Sequence, residues 1–176
     1  SSISSKNIRQ IDDLAKEIDI EWFATPMYVD AVNLLNPYVK RFKIREFDSR
    51  LLAQNKTNDL IEKIFQTNKD VIISSQSLPS KLDSYPNKVD WLYCVPKYPC
   101  LLNDLDFSKL SSFDGFSNHC QNIIAPLTAA ILDTNIIEIH LTIDKKQNFV
   151  DNNVSFDPTE LKQLTNFIKL SKQIKK

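Results

Sequence analysis

The run from Gly115 to Thr142 constrains the fold more than any other stretch of this chain. It reads GFSNH, then an apolar stretch rich in Ala, Ile and Leu, then IIEIHLT. Its two ends have the character of short β-segments, and residues 121 to 134 between them have the length and composition of a crossover helix. A strand, helix, strand unit of this kind is parallel, and it brings the carboxyl ends of consecutive strands to one edge of a sheet. Both histidines of the chain, His119 and His140, sit at or near those strand ends. Two imidazoles are therefore expected to face one pocket.

The same alternation extends along the rest of the chain. Lys6 to Asp19 places Ile8, Ile11, Leu14, Ala15 and Ile18 at helical spacing with charges opposite, which predicts an amphipathic helix. A short strand is expected over Glu21 to Ala24, stopped by Pro26, then a short helix over Asp30 to Asn36 and a strand through Val39, Phe42 and Ile44 that ends near Arg45 or Glu46. Ser49 to Thr67 reads as a helix whose first turn is set apart by the polar stretch Asn55 to Asn58. Val71 to Ser75 is a continuous apolar run ending in serines, the pattern of a strand buried on both faces. Gln76 to Lys88 is expected to be loop, and Val89 to Val95 is the next strand. A short helix is expected over Leu101 to Leu110, a strand over Gly115 to Ser117, a helix over Pro126 to Thr134 with proline in its first turn, and a last strand over Ile136 to Leu141. Asp157 as N-cap, Pro158 at the first helical position and Glu160 at the third open a final helix.

Six strands alternating with mostly helical connections make an α/β fold with a parallel sheet, either an open doubly wound sheet or a (β/α) barrel. In both, the edge that follows the strands is the functional one. The polar residues there are Thr25, Glu46 and Asp48, Ser74 to Ser77, Tyr98, Ser117 to His119, His140 and Thr142.

Composition narrows the function classes. A chain of 176 residues is one domain on length, with enough sequence for a real core. Its formal net charge of zero predicts no nucleic-acid or anionic-membrane partner. No apolar run approaches the roughly 18 residues of a membrane span, and the opening SSISSKN lacks the apolar core of a signal peptide, so a soluble, cytoplasmic protein is expected. Cys94, Cys100 and Cys120 are an odd number without CxxC spacing, which fits reduced thiols. Gly115 is the one glycine, where an average of about 7% would give a dozen. A Gly-rich phosphate loop is thereby excluded, and asparagine is expected to take over left-handed backbone positions.

In order, the motifs WFATP, FKIREFD, VIISSQS, LYCVPKYP, GFSNH and IIEIHLT, followed by DNNVSFDPTEL, resemble the sialic acid synthase family, which also makes legionaminic and pseudaminic acids. The resemblance runs from about Lys6 to the C-terminus and favours the TIM-type (β/α) barrel over the open sheet. It implies condensation of phosphoenolpyruvate with an N-acetylated hexose such as N-acetylmannosamine, with phosphate release, on a barrel that carries a divalent metal, Mn²⁺ first and Mg²⁺ or Co²⁺ as alternatives. His119 matches the histidine of the family's G-[YFL]-S-D-H and His140 that of E-[KR]-H-F-T, both metal ligands there. Lys43 matches the lysine that holds phosphoenolpyruvate, and Asp48 the acid of the same motif, a catalytic pair on this reading. Thr25 and Ser117 match hydroxyls near the phosphate, Tyr98 the tyrosine of the Y-P motif, and Asp151 a carboxylate that binds sugar hydroxyls. Taken without the resemblance, these residues have ordinary roles. Lys43 would be a snorkelling lysine, Thr25 and Ser117 helix caps, Tyr98 a half-buried core ring and Asp151 a solvated acid.

The pattern also departs from the family. Glu46 stands where the family has a phosphate-binding serine, Pro96 where it has an asparagine or serine, Asn118 for an aspartate and Ile139 for a lysine or arginine. A carboxylate ~4 Å from one phosphate charge is repelled by ~4 kcal/mol at an effective dielectric of 20, so Glu46 needs a cation, and Arg45 or Lys97 is expected to supply it. The first two strands of the family have no counterpart before Lys6. The expectation is thus one domain over residues 1–176 forming a fragmentary barrel, incomplete at its N-terminal side and without the family's C-terminal antifreeze-like domain. A homo-oligomer would cover its open strand edges. Two other readings stand beside the synthase: a degenerate, non-catalytic member that binds a sugar or a partner protein, and a different metal-dependent barrel enzyme such as an aldolase.

Overall fold

A computed structural model describes residues 4–174, so the ends of the expected 1–176 domain lie outside the described residues. The elements run α1 (Ser5–Glu17), α2 (Val29–Leu35), β1 (Arg41–Ile44), α3 (Glu46–Leu52), α4 (Asp59–Phe65), β2 (Asp70–Ser75), β3 (Val89–Cys94), β4 (Gly115–Ser117), α5 (Ile124–Ile131), β5 (Ile136–Glu138) and α6 (Pro158–Ser171). Short 3₁₀ turns occupy Leu102–Asp104, Phe107–Ser112 and Asn152–Val154. The strands form one sheet in the order β1-β2-β3-β4-β5. Each strand lies beside its successor, which is the order of a (β/α) barrel. A doubly wound sheet reverses direction at a switch point. The fold is a partial barrel of this class.

Internal contacts divide the chain into two compact units, one made of residues up to Ile73 with Ser80–Asp90, the other of Ser74–Pro79 with the chain from Trp91 onward. In the first unit β1 and β2 pair in parallel, Lys43 opposite Ile72 and Ile44 opposite Ile73. Phe42 and Ile44 are buried on one face of β1, and Lys43 points to the other. Asp12 ties α1 to the following segment, accepting from Trp22 Nε1 at 3.0 Å and from Lys16 at 2.7 Å. Tyr85 stacks on Phe65 at 4.0 Å between centroids and donates to Glu62 at 2.6 Å, pinning the loop before β3 to α4.

In the second unit β3, β4 and β5 pair in parallel, with Tyr93 opposite Phe116 and Phe116 opposite Ile137. Tyr93, Phe107, Phe113 and Phe116 form an aromatic core beside these strands. Gly115 is required by close approach, not by backbone dihedral: a Cβ there would sit 2.3 Å from the Ile136 carbonyl oxygen and 2.6 Å from Leu92 Cδ2. The left-handed positions are held instead by Asp19, Asn55, Asn68, Asp133 and Asp151. Asparagine does stand in for glycine, and aspartate does so as well, because both short polar side chains tolerate that region.

Several boundaries differ from expectation for local reasons. The strand expected over Glu21 to Ala24 is reduced to one bridge, Ala24 to Phe42, in which Lys43 N donates to Ala24 O at 3.0 Å. The Trp22 and Glu21 side chains are drawn aside to Asp12 and Arg41. The helix expected over Ser49 to Thr67 is two, separated where Asn55 turns left-handed and Asn58 caps α4 by accepting from Ile61 N. The helix expected over Leu101 to Leu110 is two 3₁₀ turns. The last strand ends at Glu138, because His140 and Thr142 pair with Phe156 instead of β4. The α6 start forms as read, with Asp157 and Glu160 making a reciprocal capping box around Pro158. Among the described residues no helix is long and apolar enough to cross a membrane.

Candidate functional site

The second unit assembles Tyr98, His119, His140 and Asp151. His119 follows β4 directly. The turn that carries it is closed by Asn118, whose amide bonds both ways to Cys120: Nδ2 to the Cys120 carbonyl at 2.8 Å, and the Cys120 N–H to Oδ1 at 3.1 Å. Asn118 is fully buried and its own N–H donates to the Glu138 carbonyl at 2.9 Å. An amide supplies both a donor and an acceptor here, which an ionised aspartate could not. The His119 carbonyl accepts from Cys100 N at 2.9 Å, so its backbone is held from both sides.

The His119 ring is 5% exposed. Its Nδ1 lies 2.8 Å from the Val95 carbonyl oxygen and 3.8 Å from Cys94 Sγ, and its Nε2 lies 2.7 Å from Tyr98 Oη. A carbonyl oxygen can only accept, so Nδ1 carries the proton and, in the neutral ring, Nε2 is the nitrogen with the lone pair. The Tyr98 and His119 rings overlap at 4.0 Å between centroids, and His140 stands edge-on to both, 5.3 Å from His119 and 5.8 Å from Tyr98.

His140 reaches this cluster because the chain after β5 turns to pair with the segment before α6. Phe156 N donates to the His140 carbonyl at 2.8 Å and Thr142 N to the Phe156 carbonyl at 2.9 Å. The same turn presents Asp151, itself left-handed with φ 66°, so that its Oδ2 comes 3.7 Å from His140 Nδ1. Ser117 is buried at the end of β4. Ser74, at the end of β2, is also buried, and its hydroxyl has no hydrogen-bond partner among the described residues. A buried hydroxyl with no protein partner is met by water or by a ligand, which makes Ser74 a candidate that sequence reasoning noted only as strand-end polarity. The serines closing an otherwise apolar run were its signal.

The convergence of two imidazoles suits a divalent metal of the Mn²⁺ to Zn²⁺ series. Among the described residues no three His, Cys, Asp or Glu side chains are grouped to hold an ion. Two imidazoles are fewer protein ligands than a closed structural site uses.

In the first unit, Lys43 and Asp48 lie at β1 and in the first turn of α3. Asp48 is buried and accepts from Arg45 Nε at 2.5 Å. The buried Glu46 carboxylate is clamped by Arg50 one turn on, Nε at 3.0 Å and Nη2 at 2.8 Å. Of the two cations expected there, Arg45 pairs with Asp48 and Lys97 with Asp104. The i to i+4 spacing on α3 gave Arg50 the better reach. Thr25 is half-buried and lines an apolar cleft of about 580 Å³ with Phe23, Pro26 and Met27.

The NeuB family model matches residues 1–176. This chain belongs to the NeuB family. It is 28% identical over 169 residues to the N,N'-diacetyllegionaminic acid synthase of Campylobacter jejuni, covering 85% of this chain and 49% of that protein. It is 27% identical over 185 residues to the human N-acetylneuraminate-9-phosphate synthase, covering 95% and 50%. The crystal structure of an N-acetylneuraminic acid synthetase from Leptospira borgpetersenii in complex with citrate superposes with a TM-score of 0.86 at 23% identity, over 98% of this chain and 64% of that one. The chain thus spans about half the length of the curated relatives it matches, and the structural likeness fixes the partial barrel.

Proposed function

We propose that this chain carries the metal and sugar part of a nonulosonic acid synthase, a transferase that condenses phosphoenolpyruvate with an N-acetylated hexose such as N-acetylmannosamine. The observation that carries this reading is the cluster of His119, His140, Tyr98 and Asp151 at the strand ends of β4 and β5, in a chain of the NeuB family. His119 and His140 would hold a divalent ion, Mn²⁺ by preference. Bound there, the ion supplies Lewis-acid polarisation of the sugar aldehyde. The chain's own groups do the rest. Asp151 and Tyr98 accept from and donate to sugar hydroxyls. Lys43 supplies a point charge for the phosphoenolpyruvate dianion, assisted by the hydroxyls of Thr25 and Ser117. Asp48, held on Arg45, orients the acceptor.

In the reaction, C3 of phosphoenolpyruvate forms a bond to the aldehyde carbon, water adds at C2, and inorganic phosphate leaves with its C–O bond broken. The pairing of Glu46 with Arg50 supports activity over the degenerate reading. The carboxylate that stands at the phosphate-binding serine of the family is neutralised within its own helix. Phosphate release from phosphoenolpyruvate, measured with Mn²⁺ and a panel of N-acetylhexosamines, tests the proposal. Sugar-dependent release is expected, and none with any sugar would leave the non-catalytic, sugar-binding reading in its place.

A further inference from the structure

β1 and β3 are both followed by a residue that departs from the small polar one of the family's pattern. After β1 that position holds Glu46, whose carboxylate is clamped by Arg50, Nε at 3.0 Å and Nη2 at 2.8 Å. After β3 it holds Pro96, which has no N–H and no polar side chain. β2 lies between these two strands in the sheet and ends on two serines. Ser74 is 2% exposed, and its hydroxyl has no hydrogen-bond partner among the described residues. Ser75 is equally buried, but its hydroxyl donates to the Ser77 carbonyl at 2.9 Å and closes the turn after the strand.

Strand geometry separates the two serines. Ile72 lies opposite Lys43 in the parallel register of β1 and β2, and alternation along β2 returns Ser74 to the Ile72 face and sends Ser75 to the other. A serine hydroxyl offers one proton, and a phosphoryl oxygen accepts it in a charge-assisted hydrogen bond. We propose that Ser74 is a phosphoenolpyruvate-binding residue, its hydroxyl donating to a phosphoryl oxygen in place of the serine that Glu46 has replaced. The inference rests on the synthase reading above. Because the hydroxyl is neutral, it adds a contact to the dianion without the repulsion that a carboxylate would bring.

The test is calorimetric titration of the chain with phosphoenolpyruvate alone, in the wild type, Ser74→Ala and Lys43→Met. A hydrogen bond to a charged group corresponds to about a ten- to hundredfold change in affinity. Ser74→Ala is expected to bind phosphoenolpyruvate weaker by that factor, and Lys43→Met to lose binding. Unchanged affinity in Ser74→Ala, with loss in Lys43→Met, overturns the role of Ser74 and leaves the synthase reading standing. Undiminished binding by both variants, or none by the wild type, overturns both. Orthophosphate keeps the phosphoryl oxygens and lacks the carboxylate, so its affinity should fall in Ser74→Ala as well. Orthophosphate binding undiminished in that variant overturns the phosphoryl contact. Thermal unfolding without ligand separates binding from folding. Ser74→Ala removes a buried hydroxyl that has no protein partner, so its melting temperature should equal or exceed that of the wild type. A lower one means that structural water holds the hydroxyl in the fold, and overturns the inference.

Discussion

Gly115 and Cys100 show how single residues in this unit are set by their immediate neighbours. Because a Cβ at 115 would meet the Ile136 carbonyl at 2.3 Å, Gly115→Ala must push β5 away from β4. Overpacking of a tight core costs typically about 1–3 kcal/mol, and backbone cannot rotate away as a side chain can, so a loss at the upper end of that range is expected in denaturant titration. The Cys100 thiol is pushed up to about 12, first by burial and then by its hydrogen bond with Cys120. At pH 8 a thiol with that value is ionised on the order of one part in ten thousand, and the thiolate is the reactive form. Native protein is therefore expected to leave Cys100 unmodified by iodoacetamide at pH 8, while protein unfolded in guanidinium is labelled there; mass spectrometry of the two digests decides it. Cysteine count and spacing made the reduced state legible in the sequence. The packing that requires Gly115 was not, because a glycine's reason lies in the partner strand.

At the scale of elements, local signals were legible wherever one segment satisfies its own polar groups. The α6 start is a closed hydrogen-bond system of Asp157 and Glu160, and the sequence carries all of it. Asp157→Ala should cost about 1 kcal/mol of stability and fray the first turn, measurable by thermal unfolding. Elements whose ends depend on distant partners were misjudged. The segment before β1 loses its strand character because Asp12 and Arg41 recruit its side chains, and β5 stops early because Phe156 competes for its backbone. The same shortening swings His140 toward Tyr98 and Asp151, so the candidate site depends on a pairing that periodicity cannot reveal. The loop before β3 is tied to α4 in a way that makes it sensitive to acid. Hydrogen bonds from Tyr85 and Thr57 hold the Glu62 carboxyl below its ordinary value. A carboxyl depressed in the folded state contributes stability above its unfolded value, near 4.3, and that contribution is lost as pH falls through the folded value. Wild type should accordingly lose more stability than Tyr85→Phe between pH 5 and pH 3, a difference that parallel urea titrations would register.

For the chain as a whole, charge and apolar exposure bear on association. Ile11, Phe23, Met27 and Tyr28 line the cleft of about 580 Å³ in the first unit and are each at least 39% exposed. The helical spacing of Ile8, Ile11, Leu14, Ala15 and Ile18 predicted that α1 has an apolar face, but it could not show how much of that face the chain covers, since that depends on tertiary packing. Ile8 is buried at 1%, whereas Leu14 and Ile18 remain more than half exposed. Apolar surface of this kind promotes contact between molecules, and nothing electrostatic opposes it, because the formal net charge at pH 7 is zero. Concentrated solutions should thus scatter light most near pH 7 and less at about pH 10.5, where roughly half of the lysine side chains have lost their charge while the arginines and the acids keep theirs. Met27→Lys combined with Ile11→Lys places two charges in the cleft at no buried ion pair, and the double variant should scatter less at every concentration at pH 7. Scattering equal to wild type would mean that association, if it occurs, uses another surface, and would direct attention to the strand edges instead.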